Sequence, residues 1–318
     1  MRGSSSFLLL LLGTLAAPGC SVERSGLYVG PAPIDEDLGV APVDLGRVDV
    51  DGDAPEPDLG VGEPDLGIPV EVDLGTPSVC EPALCPGRFC DGDVCGYARS
   101  CNELKNAPGG PTADGHYTLD GDGPDFLTAA DAYCDMTNDE GGWTLVLKAD
   151  GSMSTFVYGS AYWTDNVELA GSPFFDRVEA KLRTFRTVAF TQMRVVMVIA
   201  KDTNAVVLDV GAMSCVELFN RGYSMTTIDR DVWLSMVPDP RLQDNCGAQG
   251  INVAPQSDQA RVRIGIIGNN ENNCNSANSR IGIGGAGEND DVTTGNVARY
   301  SGWGDDRNTV SFGYVFVR

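Results

Sequence analysis

The chain comprises 318 residues with 22 basic and 45 acidic side chains, which gives a formal net charge of −23 at neutral pH. Such an acidic balance argues against binding to nucleic acid or to anionic lipid, because both partners require clustered Lys and Arg. The single histidine, His116, excludes helical zinc motifs that need two histidines. Ten cysteines without a CxxC pair favour disulfides in an exported chain.

The first 19 residues have the pattern of an export signal. Arg2 precedes an apolar stretch over residues 7–17, which is too short to span a bilayer, and small residues follow it. A small residue before Cys20 resembles a bacterial lipobox, so we expect Cys20 to be lipidated and to be the only attachment to a membrane. Ser21, rather than Asp, then favours the outer membrane and the bacterial cell surface. The alternative is ordinary secretory cleavage after an alanine.

Residues 20–79 are predicted to be a disordered tether. Residues 21–79 carry 14 acidic and 2 basic side chains, a net charge of −12, and Asp-Leu-Gly occurs five times between prolines. Such a segment cannot bury enough apolar area to offset its backbone entropy. A calcium-binding repeat at residues 49–53 is the competing interpretation, but Gly60 stands where an EF-hand loop closes with Glu.

Residues 80–97 form a small cysteine-rich segment. Cys80, Cys85, Cys90 and Cys95 recur at a constant spacing of five, which predicts two disulfides in an oxidising compartment. Three pairings are possible, and the sequence does not choose between them. Zinc is a weaker alternative because its ligands are usually spaced more closely.

Residues 98–318 are predicted to be one globular α+β domain with short antiparallel strands, few helices and long ordered loops. Apolar residues alternate with a period of two in five segments, which predicts strands. A period of 3.6 predicts a helix over residues 174–184, with Phe175, Val178 and Leu182 on one face. The five predicted strands are 143–147, 194–199, 205–210, 262–267 and 312–317.

Four motifs near the start of this domain resemble a fibrinogen C-terminal-like domain in their order and spacing. The resemblance implies a disulfide between Cys101 and Cys134. We also expect a binding domain that is not an enzyme. The motifs are Ser100-Cys101-Asn102-Glu103-Leu104, Gly115-His116-Tyr117-Thr118-Leu119, Tyr133-Cys134-Asp135-Met136-Thr137 and Gly141-Gly142-Trp143-Thr144.

The second half departs from the animal fibrinogens and resembles the intelectin branch, whose members bind exocyclic vicinal diols through calcium, as well as bacterial fibrinogen-like lipoproteins. The segments that carry this likeness are residues 274–285 and 311–318. The likeness implies a disulfide between Cys246 and Cys274, which leaves Cys215 unpaired. Cys215 is then either a buried free thiol or evidence against this pairing.

Residues 268–296 contain eight Asn and four acidic side chains, which supply the oxygen ligands that Ca²⁺ prefers. The intelectin likeness assigns Asn275 as a ligand and places Asn278 where the family has His. The last acidic ligand falls near Glu288 and Asn289. Ala277 replaces a ligand Glu, so we expect a weaker calcium site. The competing interpretation is a surface loop whose Asn and Gly only form turns.

Several other residues invite a functional assignment. Trp303 and Tyr300 follow the predicted metal loop and are candidate walls of a sugar site. His116 lies within a strand motif without a nearby nucleophile signature and is assigned a structural role. Residues 120–125 form an acidic cluster that we interpret as a turn.

The sequence therefore predicts a surface lipoprotein that displays a calcium-dependent glycan-recognition domain. The first alternative is an adhesive module that binds a cell-surface protein and in which calcium is only structural. The second is a hydrolase, although the chain has no GxSxG or P-loop motif. The oligomeric state does not follow from the sequence.

Overall fold

The computed structural model describes residues 89–91, 94–123, 129–256, 258–299 and 306–318. All of them belong to the compact unit Glu71–Arg318. The signal segment, the tether, Cys20, Cys80 and Cys85 lie outside the described residues. Among those that are described, no helix is long and apolar enough to cross a membrane.

A short antiparallel hairpin precedes the domain, formed by β1 (Phe89–Asp91) and β2 (Val94–Gly96). Its backbone register places Cys90 opposite Cys95. The pairing of the four cysteines in this segment stays a prediction, since their side chains are outside the described part of the chain.

Seven strands form the first large sheet, in the order β3-β4-β5-β15-β7-β8 with β6 beside β5. All pairings within it are antiparallel. The C-terminal strand thus lies at the centre of the sheet. The strands are β3 (Gly115–Leu119), β4 (Ala130–Asp135), β5 (Trp143–Asp150), β6 (Ala180–Lys181), β7 (Phe190–Ile199), β8 (Asp202–Met213) and β15 (Phe312–Val317).

Six strands form the second large sheet as an antiparallel meander, in which each strand pairs with its neighbours in sequence. Antiparallel neighbours need no crossover between them, and here the connecting segments are seven residues or longer. The strands are β9 (Ser224–Met225), β10 (Asn245–Val253), β11 (Arg261–Asn269), β12 (Ser279–Ala286), β13 (Thr294–Ala298) and β14 (Arg307–Val310).

Four short helices complete the domain, and polar side chains cap three of them. Ser100 caps α1, Ser214 forms a full capping box with Glu217 on α3, and Asp229 caps α4. The helices are α1 (Cys101–Asn106), α2 (Thr184–Thr187), α3 (Cys215–Asn220) and α4 (Arg230–Leu234).

The main core unites both large sheets. Val195 of β7 and Val315 of β15 belong to the same buried cluster as Ile266 of β11 and Ile281 of β12. Alternation places Val196 on the opposite face of the first sheet, in a second cluster with Trp143, Tyr314 and Phe316. The first sheet therefore buries apolar side chains on both faces.

The five predicted strands are confirmed as β5, β7, β8, β11 and β15, but the predicted helix over residues 174–184 is wrong. Residues 174–179 form an irregular loop, and only the strand β6 and the start of α2 lie in the range. The apolar periodicity misleads because Phe174, Phe175 and Val178 are exposed and share no buried face. The Lys148 ammonium instead holds this loop by donating hydrogen bonds to its carbonyls.

Candidate functional site

The structure separates the four predicted calcium ligands into two pairs. Asn275 and Asn278 precede β12, whereas Glu288 and Asn289 follow its end at Ala286. Eight residues of strand span roughly 23 Å between the first and last Cα atoms. One ion cannot contact both pairs, so the ligand set inferred from family resemblance does not form a single site.

The positively charged side chain of Arg280 occupies the loop that carries Glu288 and Asn289. Arg280 is 2% exposed, and its guanidinium donates to the carbonyl oxygens of Gly287, Asn289 (2.7 Å) and Val292 (2.8 Å). Burial lowers the pKa of Arg280 to about 10, so the side chain stays charged at neutral pH. These carbonyls are therefore hydrogen-bonded to a positive charge, which disfavours a second cation beside them.

The side chain of Asn289 is also engaged within that loop. Asn289 Oδ1 accepts a hydrogen bond from the backbone N–H of Asp291 at 2.9 Å. Burial raises the pKa of the Glu288 carboxyl, and the charges of Arg299 and Arg280 oppose that shift. The sequence did bear a signal of this arrangement, since Arg280 stands near the start of a strand that otherwise contains mainly Ile and Gly.

The other end of β12 holds two buried amide oxygens without a partner. They are Asn278 Oδ1 and Gln243 Oε1, and the Gln243 residue is only 3% exposed. Gln243 Nε2 donates to the Arg299 carbonyl at 3.0 Å, and the Arg299 N–H donates to the Asn278 carbonyl at 3.0 Å. Both residues thus adjoin the backbone of Arg299. We call Gln243, Asn275, Asn278 and Arg299 the amide corner.

A buried asparagine organises the loop beside the amide corner. Asn269 Nδ2 donates to the Glu271 carboxylate (3.1 Å), the Asn273 carbonyl (2.6 Å) and Ser276 Oγ (2.8 Å). Asn275 remains exposed after this loop is formed. The disulfide between Cys246 and Cys274 ties the loop to β10.

The amide corner offers neutral oxygens rather than carboxylates. Ala277, which replaces a family ligand, is fully buried in an apolar cluster with Ile267, so its side chain does not face a ligand. Within the part of the chain that the structure describes, no three His, Cys, Asp or Glu side chains lie close enough to hold a metal ion. Calcium ligation here would depend on amide and carbonyl oxygens, which give weak sites.

The cysteine pairings implied by the resemblance are both present in the structure. Cys101 is bonded to Cys134, and Cys246 is bonded to Cys274. Cys215 is a free, fully buried thiol at the first position of α3, and burial raises its pKa well above the usual value. A thiol that is buried and protonated is unreactive, which fits a packing role.

Of the remaining candidate site residues, some lie in the described part of the chain and others lie outside it. His116 packs edge-on against Phe174 at 4.3 Å and Tyr133 at 5.6 Å between ring centroids, which fits a structural role. Residues 121–122 form the expected turn. Tyr300 and Trp303 lie outside the described residues, and their assignment to a sugar site stays a prediction.

Sequence reasoning missed a second surface, on the outer face of the first large sheet. Phe174 and Phe175 lie there beside His116 and Tyr133. An adjoining cleft of about 220 Å³ is lined by residues that include Asp131, Pro173 and Arg183. The helical interpretation of residues 174–184 concealed this surface, because it assigned Phe175 to a buried helix face.

No protein-family model matches the chain, and no curated protein matches it. Among solved structures, the chain is similar to the fibrinogen-like globe domain of human ANGPTL6, with 20% sequence identity and a TM-score of 0.27. The match covers 36% of this chain and 49% of that chain, so it spans about half of the latter's length. The resemblance to fibrinogen C-terminal-like domains stays a prediction from the motifs between residues 100 and 144.

Proposed function

We propose that the chain is a surface-anchored recognition protein that binds glycans with the help of calcium and carries out no chemistry. The observation that carries this proposal is the pair of buried, unpartnered oxygens, Asn278 Oδ1 and Gln243 Oε1. A buried amide oxygen without a donor is costly, and a bound cation would remove that cost.

Calcium at the amide corner would be held by Asn278, Gln243 and the exposed Asn275. Amide oxygens are among the ligands that Ca²⁺ accepts, but a site without carboxylates belongs at the weak end of its range, roughly 10⁻⁴ to 10⁻³ M. Glu288 and Asn289 are not part of this proposal, because Arg280 occupies their loop. When bound, the ion would supply open coordination positions for two adjacent sugar hydroxyls.

Thermal unfolding of the full chain with calcium and with a chelator tests the metal step. Ligand binding to the native state raises its stability by about 1.4 kcal/mol when free calcium is tenfold above the dissociation constant, which is roughly 3 °C in a domain of this size. Asn278→Ala should abolish that shift. Asn272→Ala is the matched control, since Asn272 is an exposed residue of the neighbouring loop, and this variant should retain the full shift.

Addition of a sugar with an exocyclic vicinal diol tests the recognition step. A further rise in melting temperature that requires calcium supports the proposal. A calcium shift without a sugar effect would instead favour the adhesive module, in which the ion is structural. The absence of any shift up to about 10 mM calcium, well above the expected dissociation constant, would contradict the metal site itself.

The surface location is proposed from the lipobox-like sequence before Cys20. Metabolic labelling with a radioactive fatty acid should label the wild-type chain in a bacterial host that processes lipoproteins, whereas Cys20→Ala should remain unlabelled. Equal labelling of both would overturn the assignment of the anchor.

A further inference from the structure

Four aromatic side chains form a continuous surface on the outer face of the first large sheet. The Tyr133 and Phe175 rings are stacked at 5.2 Å between centroids with an interplanar angle of 15°. Phe174 contacts the His116 ring at 4.3 Å, and His116 contacts Tyr133 at 5.6 Å. We call His116, Tyr133, Phe174 and Phe175 the aromatic shelf.

The two phenylalanines of the aromatic shelf stay about half exposed, although Phe175 also packs against Tyr314 at 4.4 Å between centroids. Phe174 is 55% exposed and Phe175 is 47% exposed, and the neighbouring Val178 is 55% exposed. Single exposed apolar residues are ordinary, but a contiguous patch of them on a soluble domain is typical of a binding site. The strongly acidic composition of the chain makes the patch more distinctive.

A buried lysine fixes the loop that carries the two phenylalanines. Lys148 is 0% exposed, and its ammonium donates to the carbonyls of Ser172 (2.8 Å) and Phe174 (3.1 Å) and to the Asp176 carboxylate. Tyr314 Oη also donates to the Asp176 carbonyl at 3.1 Å. The rings are therefore presented by an ordered backbone, which lowers the entropy cost of binding.

The cleft, whose lining mixes apolar and charged residues, adjoins the shelf directly. Pro173, which lines the cleft, precedes Phe174 in the chain. Asp131 also lines the cleft, and its partner across the β3–β4 hairpin is Thr118. Tyr133 pairs with His116 in the same way. Because side chains alternate between the two faces of a strand, all four lie on one face of the hairpin. The shelf and the cleft thus form one surface, aromatic at one end and lined by both apolar and charged side chains at the other.

The charges in the cleft are balanced, and three of the four charged side chains form ion pairs. Its lining contains two acidic side chains, Asp131 and Glu168, and two basic ones, Lys181 and Arg183. Arg183 Nε lies 3.3 Å from Glu168, and Lys181 Nζ lies 2.7 Å from Asp165. Thr118 Oγ1 donates to the Asp131 carboxylate at 2.9 Å. This lining offers hydrogen-bonding groups without a net charge that would recruit an ion.

We propose that the shelf and cleft form a calcium-independent binding site for an uncharged saccharide. A neutral sugar ring combines an apolar C–H face with a rim of hydroxyls, which matches flat aromatic side chains beside balanced polar groups. The site lies on the first large sheet, whereas the amide corner lies on the second. The proposal is independent of calcium binding at that corner.

Affinity electrophoresis of the full chain in chelator tests the proposal. The probes are four neutral polysaccharides, a β-glucan, a mannan, a xylan and a galactan, each cast into a native gel. The wild-type chain should be retarded by at least one of them. Phe174→Ala with Phe175→Ala should raise the dissociation constant by about tenfold or more, as expected for the loss of two aromatic contacts. Met153→Ala with Val167→Ala is the matched control, since both side chains are similarly exposed.

Two results would overturn the proposal. One is the absence of retardation by all four polysaccharides. The other is retardation that the phenylalanine variant retains. If retardation instead required calcium and was lost only in Asn278→Ala, the saccharide would bind at the amide corner, so failure of this site and failure of the calcium site are distinguishable.

Discussion

Replacement of Lys148 by Met tests whether a buried cation holds the loop over residues 172–178. The substitution keeps the length of the side chain and removes the ammonium donor from the carbonyls of Ser172 and Phe174. Hydrogen bonds to charged groups contribute about 1.5–3 kcal/mol each, but both the loop and Asp176 can regain water after release. Met also avoids the cost of burying a charge. We therefore expect a net loss of about 2 kcal/mol.

Limited proteolysis reports this loss locally. Arg177 is exposed within the loop, so trypsin cleaves there only when the loop opens. A loss of about 2 kcal/mol from the closed loop raises the open population, and hence the cleavage rate, about 30-fold. Fragment masses identify the cut after Arg177. Lys201→Met is the matched control because Lys201 is exposed. Trypsin should cleave this variant after Arg177 at the wild-type rate.

The pH dependence of the same variant provides a second measurement. The Lys148 ammonium holds the pKa of the Asp176 carboxyl below its usual value. A lowered folded-state pKa contributes stability that is present above the unfolded value of about 3.9 and is lost as the pH falls through the folded value. This measurement uses a protease that is active in acid instead of trypsin. Lowering the pH should increase the rate of loop cleavage in wild type and should change the rate little in Lys148→Met. Equal cleavage rates of the two chains at neutral pH would refute the role of Lys148.

Two further predictions concern other buried charges. Arg280→Met should lower the free energy of unfolding by about 3 kcal/mol, because the carbonyls of Asn289 and Val292 lose a buried donor. Urea denaturation measures this free energy, and a loss below about 1 kcal/mol would contradict the prediction. Burial alone would raise the pKa of Asp135, but hydrogen bonds from Asn138 and Arg194 lower it. Asp135→Asn should therefore lower the free energy of unfolding at neutral pH, and this loss relative to wild type should shrink below about pH 4. A loss that does not change with pH would contradict the role assigned to the Asp135 carboxylate.

The sequence predicts well those features that depend on short-range periodicity. The alternation in residues 194–199 corresponds to β7, with Val195 in the main core and Val196 in the outer cluster. The Cys101–Cys134 pairing was also available, through the motifs around each cysteine. Such features are encoded within a few residues or in a family pattern.

The features that the sequence failed to predict depend on contacts between distant segments. The amphipathic pattern of residues 174–184 is compatible with a helix until Lys148, on β5, is placed beneath it. The calcium ligand set looked compact in sequence, yet eight residues of extended strand separate its halves. Arg280 could be seen as an anomaly in an apolar strand, but its carbonyl partners become visible only once the loop after β12 is folded.

Buried, positively charged side chains hold several of the irregular loops. The chain has only four lysines, and two of them, Lys148 and Lys181, are almost fully buried, as is Arg280. Each donates to the backbone carbonyls of an irregular loop: Lys148 at residues 172–174, Lys181 at Asp165 (2.7 Å), and Arg280 at residues 287–292. A protein that is this acidic could have used divalent metal ions for the same purpose.

This use of internal cations bears on the role of calcium. Three irregular loops are held by side chains of the chain itself, so they need no metal ion for their order. Calcium that binds at the amide corner would then serve chiefly to hold a ligand, and only the oxygens of Asn278 and Gln243 would gain from it structurally. A calcium-dependent rise in melting temperature should accordingly be small without sugar. A large rise with calcium alone, beyond the few degrees expected for a weak site, would contradict this argument and favour the adhesive module.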